Sequence, residues 1–277
     1  VAAAAVTYET LTETEWDRVQ RIWDLLEDGE VERARLELDD MMRNRERHPD
    51  LKIVDASIAI EEGEPARALE ALNGAERSAD PAQFFYLRAL SKFLLARFDD
   101  ARADAGRSLA IHPEMGETHD LLSRVLEHLG DEEGARRHAE EANEIDAEQY
   151  PLPLEVSDEE FDAVVERSLK ELPPQVRKPL EEIPVLVESL PDRATLTGDS
   201  PALAPDLLGL FRGHDLMSRR HDDLPAGPGA IYLFRRNLLR ACRDREELMR
   251  EIRITVQHEV GHLLGLDEGD LESWGLG

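Results

Sequence analysis

Four alanines, Ala34, Ala68, Ala101 and Ala135, recur at intervals of 34, 33 and 34 residues, and that period leaves few folds open. Five residues before each stands another small residue: Gly29, Gly63, Ala96 and Gly130. Acids cluster in or just after each intervening turn, and Pro49, Pro81 and Pro113 close three of the units, with Ala147 at the corresponding place in the fourth. The spacing predicts helix pairs at 14–27 with 31–45, 51–62 with 65–77, 82–96 with 99–110, and 117–129 with 132–145. Apolar residues follow helical spacing, for instance Phe85, Leu87, Leu90, Leu94 and Leu95. A unit of this size buries its apolar face only against its neighbours, so the expectation is a stacked helical array. Small residues at the turn and helix positions are expected to let helices approach closely.

The pattern resembles the tetratricopeptide repeat. The third unit carries the clearest trace, Phe98-Asp99-Asp100-Ala101 through Ser108-Leu109 to Pro113. Other units depart from the family's preferred aromatic and leucine positions, which makes 11–147 a divergent set of four. An array of this kind presents an extended concave face, so a bound peptide or protein partner is expected there. The alternative is that it only scaffolds or dimerises the second half. Residues 1–150 hold 18 basic and 36 acidic side chains, so a concave face lined with acids would favour basic or amine-bearing segments.

The 277-residue chain is long enough for two domains. Its formal charge of −28 argues against binding nucleic acid or an anionic membrane through the bulk surface. A single cysteine, Cys242, excludes an internal disulfide framework and fits a reducing, cytoplasmic setting. No apolar run approaches a membrane span. The opening residues 1–10 lack the basic leader and apolar core of a signal peptide, and are expected to be disordered or extraneous.

The chemistry lies near the end of the chain. His258-Glu259-Val260-Gly261-His262, followed by Gly265, Asp267 and Glu268, has the form HExxHxxGxxE. On a helix, residues four apart share a face, so both imidazoles can reach one ion. Zinc accepts imidazole nitrogen, and a catalytic site leaves one position open. Glu259 leaves the helix about 100° from His258, beside the pair, where a carboxylate could act as general base. Gly265 is suited to end the helix, letting the chain fold back so that Glu268, or alternatively Asp267, supplies a third ligand. The competing reading is a surface helix with a histidine pair. An apolar face through Ile252, Val256, Val260 and Leu263 argues that the helix instead packs on a core.

Ahead of it, Tyr150-Pro151-Leu152-Pro153 breaks the helical period, placing a linker at 148–156 and a second domain at 157–277. Ser157 and Glu160 form a capping box for a helix over Phe161–Leu172. Strands are predicted at Pro184–Glu188, Leu207–Arg212 and Ala230–Phe234, with a loop at 213–229 and a last helix at 244–264.

The segments Val156–Phe161, Glu171-Leu172-Pro173-Pro174-Gln175, Leu208–Gly213, Ile231–Arg236 and His258–Glu268 occur in an order that resembles the minimal zincin-like metallopeptidase family (HExxHxxGxxD type). The resemblance covers roughly 155–277. It implies an α+β domain with a small, mostly antiparallel sheet packed on the active-site helix. It also implies Zn2+ held by His258 and His262, with Glu259 as catalytic base. The chain departs from the family at three places. Glu268 stands where aspartate is usual, Leu263 where a further histidine is frequent, and Phe234 where a tyrosine precedes the paired arginines. Tyr232 or Arg235 would then have to serve as oxyanion donor, unless they are a core tyrosine and a helix-start arginine.

The expected whole is thus an all-α tetratricopeptide-like solenoid followed by a small α+β zincin-like domain. Its expected activity is zinc-dependent hydrolysis of a peptide or protein substrate, which strand 230–234 would align if it lies at the sheet edge. The alternative is an adaptor whose zincin-like domain is a metal-stabilised, weakly active or inactive module, with His214 or His221 as a fourth donor.

Overall fold

The computed structural model describes residues 10–45, 48–181, 183–198, 202–213 and 229–264. The chain forms two compact units, 1–150 and 151–277.

Among the described residues of the first unit the regular elements are all helices. Its helices are α1 (Glu13–Glu27), α2 (Val31–Arg45), α3 (Pro49–Glu61), α4 (Pro65–Ala71), α5 (Pro81–Leu94), α6 (Phe98–Ile111), α7 (Gly116–His128) and α8 (Glu132–Ile145). Each packs on the next, and the first helices of successive pairs also meet directly, α1 on α3, α3 on α5 and α5 on α7. The repeated alanines are all buried, Ala34, Ala68 and Ala101 fully, because they sit where the second helix of a pair crosses its neighbours.

The small residues of the turns have a different reason from the one expected. Gly29, Gly63 and Gly130 have φ of +74°, +73° and +76°, and Ala96 adopts the same left-handed conformation at 53°. A side chain at any of the three glycines would meet open space, so backbone conformation, and not close packing, selects them. In each turn the left-handed residue's N–H donates three residues back and the next N–H five residues back. Examples are Gly29 to Leu26 and Glu30 to Leu25, or Gly130 to Glu127 and Asp131 to Leu126. These are Schellman closures. The carbonyl of the residue after the left-handed one then accepts the first bond of the following helix, from Ala34, Ala68, Ala101 or Ala135. One local geometry, repeated four times, sets the period.

Two details differ from expectation. Helix α4 ends at Ala71 instead of reaching 77, because Asn73-Gly74 turns the chain, Gly74 at φ +85°. Pro49 and Pro81 open the following helices at their first turn instead of closing units.

The second unit contains α9 (Asp158–Glu171), α10 (Pro174–Arg177), a 3-10 turn at Pro179–Glu181, β1 (Val185–Glu188), α11 (Arg193–Thr197), β2 (Gly209–Arg212), β3 (Ala230–Phe234), α12 (Arg235–Ala241) and α13 (Arg245–Leu264). The Ser157–Glu160 capping box is present. Phe161, Val165, Ile231, Leu233, Leu238, Leu248, Ile252, Val256, Val260 and Leu263 form one core between α9, the sheet and α13. Ion pairs Arg245–Glu160 and Arg253–Glu171 tie α13 to α9 along its exposed side.

The sheet is mixed, where mostly antiparallel pairing was expected. Its order is β1-β3-β2, with β1 parallel and β2 antiparallel to β3. Between β1 and β3 the chain has ample length for a crossover, which parallel pairing requires. Strand 230–234 is therefore the central strand of the described sheet, so the condition on which it would align a substrate, a place at the sheet edge, is not met. No helix among the described residues is long and apolar enough to cross a membrane.

Candidate metal centre

Helix α13 owes its position to a buried stripe, Leu248, Ile252, Val256, Val260 and Leu263, all at most 1% exposed. This stripe puts His258 and His262 on the helix flank, half-buried. Their Nε2 atoms lie 2.9 Å apart and their ring planes cross at 88°. Two imidazole nitrogens directed at one point suit a shared proton or a shared cation. Leu263, standing where the resembled family often has a histidine, faces the core instead, so its apolar character follows from packing.

Glu259 is buried, only 7% exposed. Its Oε2 accepts a 2.6 Å hydrogen bond from the backbone N–H of Phe211 on β2. That amide points away from β3, so the free side of β2 is directed at α13. Gly209, the first residue of β2, makes this approach possible. A Cβ there would stand 2.4 Å from Thr255 Cγ2, 3.0 Å from the Tyr232 carbonyl oxygen and 3.6 Å from Glu259 Cγ. The approach to β2 is held by Asn237 of α12, whose Nδ2 donates to the carbonyls of Pro205 at 2.9 Å and Leu207 at 2.8 Å. Gly209 and Phe211 enter the motif reading only within the segment Leu208–Gly213, with no role assigned to either, although a glycine inside a strand is itself a signal of close backbone approach.

Gly209→Ala is accordingly expected to destabilise the second unit by about 1–3 kcal/mol and to displace Glu259. Urea melts of wild type and variant measure this. Superimposable melts would mean that β2 and α13 separate freely.

Arg235 is occupied elsewhere. Its Nη2 donates to the Val156 carbonyl at 2.7 Å, its other terminus pairs with Asp158, and its guanidinium covers the Phe161 ring. Starting α12, it anchors the 156–158 segment, which does not suit an oxyanion donor. Tyr232 sits mid-strand on β3, opposite Leu186 and Leu210. Phe234 is buried, at 1% exposure. Gly265, Asp267 and Glu268, and the loop residues His214 and His221, lie outside the described residues.

Residues 180–276 match the family described as zincin-like metallopeptidase. No curated protein matches the chain significantly. Among solved structures, one titled MamA MSR-1 C2 is similar at 20% identity over 45% of this chain and 72% of that one, with a TM-score of 0.38. The structure of PilW, titled a widely conserved type IV pilus biogenesis factor, is similar at 13% identity over 58% of this chain and 85% of that one, with a TM-score of 0.34. Likenesses this slight add nothing to what the helix pairs themselves display. The match spans the part of the second unit that holds the sheet, α12 and α13.

Proposed function

We propose that the chain is a zinc-dependent peptidase in which His258 and His262 hold the ion and Glu259 is the general base. Glu268, with Asp267 as the alternative, is proposed as the third ligand. The observation that carries this reading is the convergence of the two Nε2 atoms at 2.9 Å beside a buried carboxylate on the same helical turn. Two imidazoles and a carboxylate are a donor set that zinc accepts.

When bound, zinc supplies Lewis acidity to the scissile carbonyl and acidity to the attacking water. Glu259 takes the proton released as the water oxygen bonds to the carbonyl carbon. It returns that proton to the amine nitrogen as the C–N bond breaks. The Phe211 N–H keeps the carboxylate directed along the helix flank, which limits the rotamers it must lose before reaction. With β3 internal, β2 is the strand that meets α13 at Glu259, and an extended substrate would align along that edge beyond the Phe211 N–H, which Glu259 already takes.

The first unit suits a recruiting role. A groove of about 350 Å³ runs over the first helices of the pairs and is lined by Trp16, Trp23, Asp50 and Asp80. An adjoining one of about 290 Å³ shares Trp23 and adds Glu27, Glu61 and Tyr86. Aromatic walls with acids and no lysine or arginine among the lining residues favour a basic, partly apolar segment.

Treatment with a zinc chelator is expected to abolish cleavage of a mixed peptide library, and added Zn2+ to restore it. A large loss of melting temperature on chelation, with no cleavage under any condition, would instead assign the adaptor role with a metal-stabilised module.

A further inference from the structure

His119 stands in the first turn of α7 and is 4% exposed. Its Nε2 lies 2.9 Å from the carbonyl oxygen of Pro113. A carbonyl only accepts, so Nε2 carries a proton, and in the neutral ring Nδ1 presents a lone pair. That lone pair faces α8, where His138 Nδ1 is 2.9 Å away and Glu141 Oε2 3.4 Å away. One ligand atom from each of the three residues lies within 4.8 Å of the other two. His138 and Glu141 are three residues apart, on one face of their helix. A ring whose outer N–H is anchored on a backbone carbonyl while its other nitrogen points at further donors has the arrangement usual for metal-bound histidine.

We propose that His119, His138 and Glu141 form a second metal site, taking Zn2+ through two Nδ1 atoms and a carboxylate. It joins α7 to α8 well away from the turn at 129–131 that already connects them, and so clamps the last helix pair at both ends. The site is separate from the C-terminal histidines and does not depend on the peptidase reading. The competing arrangement is a simple hydrogen bond from His138 Nδ1–H to His119 Nδ1, which predicts no metal uptake.

The test uses the full chain carrying His258→Ala and His262→Ala, dialysed against Zn2+ and then against buffer. Elemental analysis is expected to find one zinc per chain, and zinc is expected to raise the melting temperature. Adding His138→Ala and Glu141→Ala should remove both the zinc and the shift. These two side chains are the more exposed pair, so the buried His119 stays in place. Equal zinc content with and without the second pair of substitutions overturns the site. Should the first pair of substitutions prevent folding, the same comparison is made in the wild-type background, where loss of one zinc per chain is expected and no loss overturns the site.

Discussion

Glu259→Gln is expected to lower peptide hydrolysis by about 10²–10⁴-fold while leaving zinc content and melting temperature unchanged. The substitution separates two jobs of one side chain. Its buried oxygen accepts the Phe211 N–H at 2.6 Å, and the isosteric amide oxygen of glutamine can keep that bond. The fold of β2 against α13 should therefore survive. What glutamine lacks is any capacity to take a proton from water at neutral pH. Steady-state cleavage alongside elemental analysis checks both halves. Cleavage within a few-fold of wild type would remove Glu259 from the mechanism, and a parallel loss of zinc would make it a ligand instead of a base.

In the first unit, the largest expected effect is at Asp104, on α6. It is 1% exposed. Arg88 grips it with both ends of its guanidinium, at 2.7 and 2.6 Å, and Lys92 reaches it at 2.5 Å. Both cations project from α5, so one carboxylate neutralises the main seam between two helices. Burial pushes its pKa up, but the two cations outweigh burial and hold it below the ordinary carboxylate range. Asp104→Ala would take from Arg88 and Lys92 the buried carboxylate they share, to which Arg107 also pairs at 3.3 Å, a loss of about 3 kcal/mol, the lower end for a broken buried pair because the cations retain some solvent.

The pH dependence has a definite sign. A carboxylate whose folded pKa is depressed adds stability above its unfolded pKa, roughly 3.9. That contribution fades as pH falls through the folded value. The stability gap between wild type and Asp104→Ala should thus be full at pH 7 and narrow steadily below about pH 4. Urea melts at a series of pH values measure it. A gap that is small at neutral pH, or that widens in acid, would mean that the α5–α6 seam does not rest on this ion pair.

Much of the architecture is legible in local spacing, and the failures of that reading have identifiable causes. The 34-residue period, the helix pairs and the buried stripe of α13 all come from side-chain periodicity, which each segment carries within itself. The positions of the turn residues are legible in the sequence, but the physical reason for them is not. A glycine looks the same in sequence whether it is selected for space or for a left-handed φ, and only the open surroundings of Gly29, Gly63 and Gly130 separate the two. Helix α11, being short, left no trace, and α12 only the reading of Arg235 as a helix-start arginine, because it begins directly from β3 without a side-chain cap.

The histidine pair was legible for the opposite reason, since i and i+4 on a helix must share a face. Residues distant in sequence were not. Phe211 lies 48 positions from Glu259, and nothing in a four-residue strand names its partner. His119 and His138 likewise sit on different helices, although the His138–Glu141 spacing already places two donors together. Asp104 looks like any polar residue of a solvated helix until α5 is packed upon it.

Sequence by itself therefore determined a helical array, a terminal helix with one apolar face, and two imidazoles on its flank. Tertiary structure decided the rest: that β3 is internal and β2 meets α13 at Glu259, that Glu259 is buried on a backbone amide, and that a second histidine cluster lies between α7 and α8. Periodicity is written into neighbouring residues, whereas strand order and cross-helix contacts depend on how distant segments close upon each other, with many pairings open to such short elements.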